Sequence, residues 1–203
     1  MYKSPLIIFE GIEGSGKSTQ INKVAKYLEK KKIKYIKIRE PGGSSNSEKI
    51  RSLLLNKKNN FNSLTDLLLY MASRNENIVK ILLKNYNKKI ILVDRFIYST
   101  IAYQHYGMNI DIKFINLLNK IILKKIKPTY IFLHTVSINN MIKRLKKRKK
   151  NNRYDNFDKG FYNRVQRGFI KILERKKNVS IINSNNTVQD NTFEIINKIK
   201  DLI

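Results

Sequence analysis

The 203-residue chain has no cysteine, two histidines, eight glycines, and 15 acidic residues against 42 lysines and arginines. Without cysteine, neither disulfides nor a zinc–thiolate centre can hold the fold. With only His105 and His134, a histidine-based metal or nucleophile site has no support. Long apolar runs are missing as well. None approaches the roughly 20 residues of a membrane span. The opening apolar run is too short for a signal peptide, and Glu10 ends it. The expectation is a soluble, cytoplasmic protein with no membrane partner.

The shortage of acids leaves a formal net charge of +27. Such a balance ordinarily prompts a nucleic-acid hypothesis. Here lysine is scattered from Lys3 to Lys200 and accompanied by abundant asparagine and isoleucine. Those are the residues of A/T-rich codons, so a biased genome accounts for the charge. No specific nucleic-acid partner is expected, and polyanion attraction is a side effect.

An apolar content of 41% suffices for one sizeable core. Short all-apolar runs at 6–9, 35–38, 90–93, 130–133 and 179–182 read as strands. Helical periodicity separates them at 20–32, 47–55, 64–83, 114–126, 138–145, 161–173 and 193–202. Fully apolar strands alternating with helices predict an α/β three-layer sandwich around a five-stranded parallel sheet. No repeat or linker divides the chain, so residues 1–203 read as one domain. The polar, basic run at 146–152 reads as a mobile segment.

Gly11-Ile12-Glu13-Gly14-Ser15-Gly16-Lys17-Ser18, followed by Thr19, fits the phosphate-binding loop that joins a strand to a helix. Its glycines let backbone N–H groups turn inward toward an anion, and the helix that follows adds its positive dipole end. Lys17 is placed to reach the β- and γ-phosphates, and Ser18 to ligate Mg²⁺. Five of the eight glycines fall in this loop and in Gly42-Gly43. A nucleoside triphosphate is therefore expected, but the loop does not say what is done with it.

The acceptor side is more discriminating. Asp94 and Arg95 end the 90–93 strand, where a carboxylate can hold Mg²⁺ opposite Ser18 and a guanidinium can point into the same crevice. Arg74 lies in a mostly apolar helix, where a buried cation needs an anion. Two such arginines suit a phosphate monoester. For Arg74, an internal salt bridge is the competing reading.

At these residues the sequence resembles a family. Phe9-Glu10-Gly11-Ile12-Glu13-Gly14, Arg39-Glu40-Pro41-Gly42-Gly43 and the stretch from Asp94-Arg95 to Tyr103-Gln104 look like the signature blocks of bacterial thymidylate kinases. The resemblance spans essentially the whole chain. It implies a P-loop nucleoside monophosphate kinase architecture and a Mg²⁺- and ATP-dependent conversion of dTMP to dTDP by a homodimer. Carried over by position, Arg95 contacts the dTMP phosphate, and Arg74 the phosphate or the thymine edge. Arg39 and Pro41 join the acceptor wall, and Glu13 sits near the acceptor and its metal. Tyr70 lies against the thymine, Ser99, Thr100 and Gln104 line the base pocket, and Tyr103 packs near the sugar. Tyr70 and Tyr103 can also be read as ordinary core aromatics.

A basic lid over about 144–156 completes the resemblance. With Gly14 in the loop position where some relatives carry arginine, the catalytic cation is expected from the lid. Arg153 aligns best, and Arg148 is a second candidate. Two departures stand out: Asn152 and Asp155 flank Arg153 where the family pattern has Asp and Glu, and His134 ends the fourth strand where aspartate is common. His134 is read first as a hydrogen-bonded strand end, and otherwise as a change in metal contact or pH dependence. Adenine contacts are expected near 183–187. Three rival functions stay open at this point: a deoxynucleoside kinase using Glu40 as base, a basic nucleic-acid-binding NTPase, and a non-catalytic P-loop scaffold.

Overall fold

A computed structural model describes residues 4–148 and 152–203. Lys149 to Asn151, part of the expected lid, lie outside the described residues. The centre of the fold is a five-stranded parallel sheet in the order β2-β3-β1-β4-β5. The strands are β1 (Leu6–Gly11), β2 (Tyr35–Arg39), β3 (Ile90–Asp94), β4 (Tyr130–Thr135) and β5 (Val179–Asn183). Between them run α1 (Lys17–Lys30), α2 (Ser45–Leu55), α3 (Ser63–Asn77), α4 (Leu83–Asn85) and α5 (Ile97–Thr100). The chain continues through α6 (Ile112–Leu123), α7 (Ile138–Lys146), α8 (Lys159–Leu173) and α9 (Val188–Lys200).

Successive strand residues point to opposite faces, and both faces here are apolar. Leu6, Ile8, Ile91, Val93, Ile131 and Leu133 enter one core with Leu67 and Met71 of α3, Ile115 of α6 and Phe169 of α8. Ile7, Phe9, Ile90, Leu92 and Phe132 enter a second core with Ile21, Val24 and Leu28 of α1 and Ile195 of α9. The result is three layers, as the alternation of runs predicts.

Side-chain caps start most of the longer helices. Ser44, Asn62, Ser137, Asp158 and Thr187 each accept a bond from a first-turn amide of the helix that follows. Helix α1 differs. Its N-cap is Gly16 in a left-handed conformation with no side-chain cap, so its first amides stay available to an anion. Strand β1 is the switch point of the sheet, with β3 on one side and β4 on the other. Ligand crevices in such sheets open outside the carboxyl ends of the strands at that point.

Two departures from the sequence reading bear on the site. The 64–83 helix passes through a π-helical turn at Ile78–Leu82. A helical segment also covers Ile97–Thr100 and continues as a π-helix over Ile101–Gly107, where the periodicity shows none. Its residues from Tyr98 to Gln104 are all buried, so it has no polar face to produce an amphipathic pattern.

Candidate active site

The glycine loop wraps closely over the end of β1. Gly11 has φ 140°, and a Cβ there would lie 2.3 Å from the His134 carbonyl oxygen, so only glycine fits. Lys17 Nζ donates to the carbonyls of Gly11 (2.9 Å) and Ile12 (2.8 Å). Burial, and then Arg95, lowers the pKa of this ammonium to about 8, against opposing pulls from Asp94, Glu13 and Glu10. Gly14, Gly16, Lys17, Ser18 and Thr19 open onto a crevice of about 520 Å³. Ile12 and Ser15 are buried beneath it and shape the loop from below.

Ser18 Oγ donates to Asp94 Oδ2 at 2.7 Å, which brings together the two groups expected at the metal. Among the described residues no cluster of three or more His, Cys, Asp or Glu side chains exists. One hydroxyl and one carboxylate nevertheless match the donor set of Mg²⁺, which keeps several waters and takes its other oxygens from phosphates.

The opposite wall comes from separate elements. Arg95 lies in left-handed backbone at φ 68°, uncommon for a long side chain. Its Nη1 donates to Gly11 O (2.8 Å) and Ser99 Oγ (3.2 Å), and its Nη2 to Glu13 Oε1 (2.8 Å). Burial works against this charge, but Tyr103, Glu13, Asp94 and Glu10 outweigh it and hold the guanidinium charged beyond the ordinary range. Tyr103 donates to the other oxygen of Glu13 and lies under the Arg95 guanidinium, 5.1 Å from it. Glu13, Arg95 and Tyr103 thus form one knot between the two halves of the crevice.

Arg74 resolves differently from Arg95. Only 2% exposed, it donates through Nε to Glu40 Oε2 (2.8 Å), through Nη1 to Asn119 Oδ1 (3.1 Å) and through Nη2 to Thr100 Oγ1 (2.9 Å). The internal salt bridge weighed from the sequence is present, although Arg74 still lines the crevice. Burial pushes the Glu40 carboxyl up while Arg74 pulls it down. Around this pair, Gln104 Nε2 and Glu40 Oε1 are buried without a partner among the described residues, and both residues line the crevice. Unpaired buried polar atoms are costly, and at a crevice wall they suit a ligand edge. Tyr70, Thr100, Tyr103 and Pro41 surround them, with Arg39 at the rim paired to Glu48 at 3.0 Å.

Arg51 and Arg144 are functional candidates the sequence reading passes over. Arg51 of α2 lines the acceptor wall and donates to Pro41 O at 2.6 Å. Its position one helical turn after Ser47, whose hydroxyl binds the Gly42 carbonyl, is the signal that could have marked it. Arg144 of α7 bridges Gly14 O (3.0 Å) and Ser184 O (2.6 Å), spanning from the glycine loop to the loop after β5. Nothing in a run of lysines and arginines distinguishes it.

The lid residues separate. Arg148 and Asn152 line the crevice, with Arg148 paired to Asp155 at 3.1 Å. Arg153 does not line it: its guanidinium sits on the buried Asp66 carboxylate of α3. The Tyr154 hydroxyl donates to the same carboxylate at 2.9 Å, and its ring meets Tyr70 edge-on at 5.9 Å. Asp66 is buried, and a buried carboxylate left unpaired would be costly. That is the physical reason Arg153 is drawn to it rather than to the loop.

His134, the penultimate residue of β4, is a neutral group. Its Nδ1 lies 3.2 Å from Ser184 Oγ, and burial, then Lys17, lowers its pKa to about 3.

Known proteins resemble the chain across the whole span that holds the crevice. The family model "Thymidylate kinase" matches residues 9–195, a span that contains every residue lining it. A thymidylate kinase of Caldicellulosiruptor saccharolyticus is 38% identical over 200 residues, 98% of this chain and 97% of the relative. One of Fervidobacterium nodosum is 37% identical over 193 residues, 94% of this chain and 95% of the relative. The crystal structure of thymidylate kinase from Ehrlichia chaffeensis superposes with a TM-score of 0.80 at 34% identity, covering 98% of this chain and 99% of that one. Similarity of that extent leaves no part of the crevice outside it, and the chain belongs to the thymidylate kinase family, the phosphotransferases that convert dTMP to dTDP.

Proposed function

We propose that the transfer runs between two anions held head to head in this crevice, ATP on the glycine loop and dTMP on the arginine wall. The loop amides and Lys17 hold the donor phosphates. Ser18 and Asp94 would hold Mg²⁺, which when bound offsets phosphate charge and orients the γ-phosphoryl group. Arg95, with Arg51 beside it, holds the acceptor phosphate. Gln104 and Thr100 meet the thymine edge, Tyr70 covers its face, and Tyr103 packs near the sugar. Glu13 keeps Arg95 and Tyr103 in place. Arg144 and Arg148 are the lid cations toward the donor, while Arg153 anchors the lid on Asp66. We read residues 1–203 as one domain with its lid at about 144–156.

A dTMP phosphate oxygen attacks the γ-phosphorus in line as the bond to the bridging oxygen of ADP breaks. That oxygen is already ionised, so no general base is required, and the rate comes from alignment and charge stabilisation. The observation that carries this reading is that Arg95 shares the Gly11 carbonyl with Lys17, so acceptor and donor cations meet at one strand end. A nucleoside kinase would use Glu40 as its base; here one oxygen of Glu40 pairs with Arg74 and the other lies unpartnered on the crevice wall, so turnover of thymidine against dTMP separates the two readings. The test offers dTMP, dUMP, dCMP, dGMP and thymidine in parallel to the enzyme with ATP and Mg²⁺. Turnover is expected to be fastest with dTMP. Preference for thymidine, or ATP hydrolysis stimulated by DNA without any mononucleotide, would overturn it.

The homodimer is proposed across α3 and α6, two packed helices. Leu64 and Leu68 on α3, and Leu117 and Ile121 on α6, are exposed. They make an apolar stripe on a chain otherwise rich in charge. Each copy carries +27, so light scattering should show the dimer tighten as salt rises. A monomer at every salt concentration would rule it out. Among the described residues no helix is long and apolar enough to cross a membrane.

A further inference from the structure

Glu10 is the penultimate residue of β1, completely buried, and absent from the crevice lining. A carboxylate in that position is costly, and burial raises its pKa against the opposing influence of Ser99 and Arg95. Its partners all come from one segment. Oε1 accepts from Phe96 N (2.9 Å) and Ser99 N (3.1 Å), and Oε2 accepts from Ser99 Oγ (2.5 Å). That segment begins one residue after Arg95, whose left-handed backbone turns the chain from the end of β3 into α5. Arg95 N is tied in addition to Phe9 O at 3.0 Å.

We propose that Glu10 is a positioning residue for phosphoryl transfer: its buried carboxylate clamps the Phe96–Ser99 turn and thereby sets where Arg95 meets the acceptor phosphate. The proposal rests on the reading of Arg95 as the acceptor's phosphate ligand. Two routes connect the residues. One is the backbone, because anchoring the amides of Phe96 and Ser99 fixes the strained residue just before them. The other is the hydroxyl of Ser99, which donates to Glu10 and accepts from Arg95 Nη1. Glu10 also precedes Gly11, whose carbonyl receives both Arg95 and Lys17. One strand end therefore registers the acceptor cation against the donor cation, and a misplacement of about 1 Å between reacting groups can cost about a hundredfold in rate. An apolar side chain would fill the same space at less desolvation cost. It would leave the turn amides unpaired and Arg95 unregistered.

The test compares Glu10→Gln, Ser99→Ala, the double variant and Arg95→Ala, using equilibrium binding of dTMP, thymidine and ADP together with kcat. Glu10→Gln keeps the shape and two acceptor contacts but removes the charge and the second acceptor. Its dTMP affinity should fall about tenfold, with kcat reduced, while ADP and thymidine affinities stay within about twofold. Ser99→Ala should shift in the same direction. The double variant should lose little more than Glu10→Gln alone, since both act through one link. A lowered Tm with unchanged dTMP affinity would overturn the proposal, as would equal losses for dTMP, thymidine and ADP. If Glu10→Gln does not fold, Ser99→Ala decides: loss for dTMP but not thymidine supports the link, and any other pattern refutes it. Arg95→Ala separates the two levels. If it leaves dTMP affinity intact, the reading of Arg95 itself fails. If it weakens dTMP while Glu10→Gln does not, only the role of Glu10 fails.

Discussion

On the proposed reading, the two halves of the crevice hold anions by different means. The donor half is main chain: a loop between β1 and α1 in which glycines turn the amides inward, with Lys17 as its one buried ammonium. The acceptor half is side chain: guanidiniums from α2, α3 and the end of β3, each steadied by a carboxylate or carbonyl from somewhere else. A main-chain cradle can be written in eight consecutive residues and asks little of the rest of the fold. A side-chain cradle needs several elements in register, so its members double as structural parts. Function and stability are therefore separable on the donor side and entangled on the acceptor side.

Substituting Lys17 and Arg74 in turn puts that contrast under the largest strain. Lys17→Met should lower kcat by about 10³-fold, since it removes a cation from the charge developing on the transferred group. It should leave the denaturant midpoint unchanged or slightly raised, because it also removes a buried ammonium whose pKa burial depresses. A clear loss of stability would erase the distinction between the halves. Arg74→Met should do the reverse. It leaves Glu40 buried and unpaired, at a cost of about 3–5 kcal/mol in urea unfolding. The double variant Arg74→Met/Glu40→Gln should recover part of that stability but not dTMP affinity. If Arg74→Met is as stable as the parent, the acceptor wall is not structural.

The smallest effect is one of pH. Lys17 loses its proton near pH 8 in the free enzyme, well below the ordinary lysine range. kcat/KM for ATP should therefore fall as pH rises through about 8, by about tenfold per unit above it. Bound triphosphate favours the charged ammonium, so kcat should hold to higher pH. In stability the sign is opposite. The unfolded chain binds the proton more tightly between about pH 8 and 10.5, so this group's contribution to stability rises with pH across that window. His134, already neutral above about pH 3, should add no limb between pH 5 and 8, and His134→Asn should leave the profile unchanged there.

What could be read in advance follows the same division. That the glycine loop, Asp94 and Arg95 would meet in one crevice was legible, because each follows or ends an apolar strand and strand ends in such a sheet converge; Ser18 comes with the loop. Arg74 was legible as a buried cation but not as to its partner, since Glu40 lies on a different element. Arg51 and Arg144 were hidden among many lysines and arginines, where composition masks position. Arg153 looked like a phosphate ligand from its place in the lid and proved to sit on Asp66, an anion far away in the chain.

By itself, the amino-acid order determined the layers, the sheet and the glycine loop, since hydrophobic period, glycine placement and helix starts are local properties written over a few residues. Only the tertiary structure decided which guanidinium faces ligand and which faces a carboxylate. That choice depends on burial and on the nearest unpaired charge, and both arise only when distant segments meet.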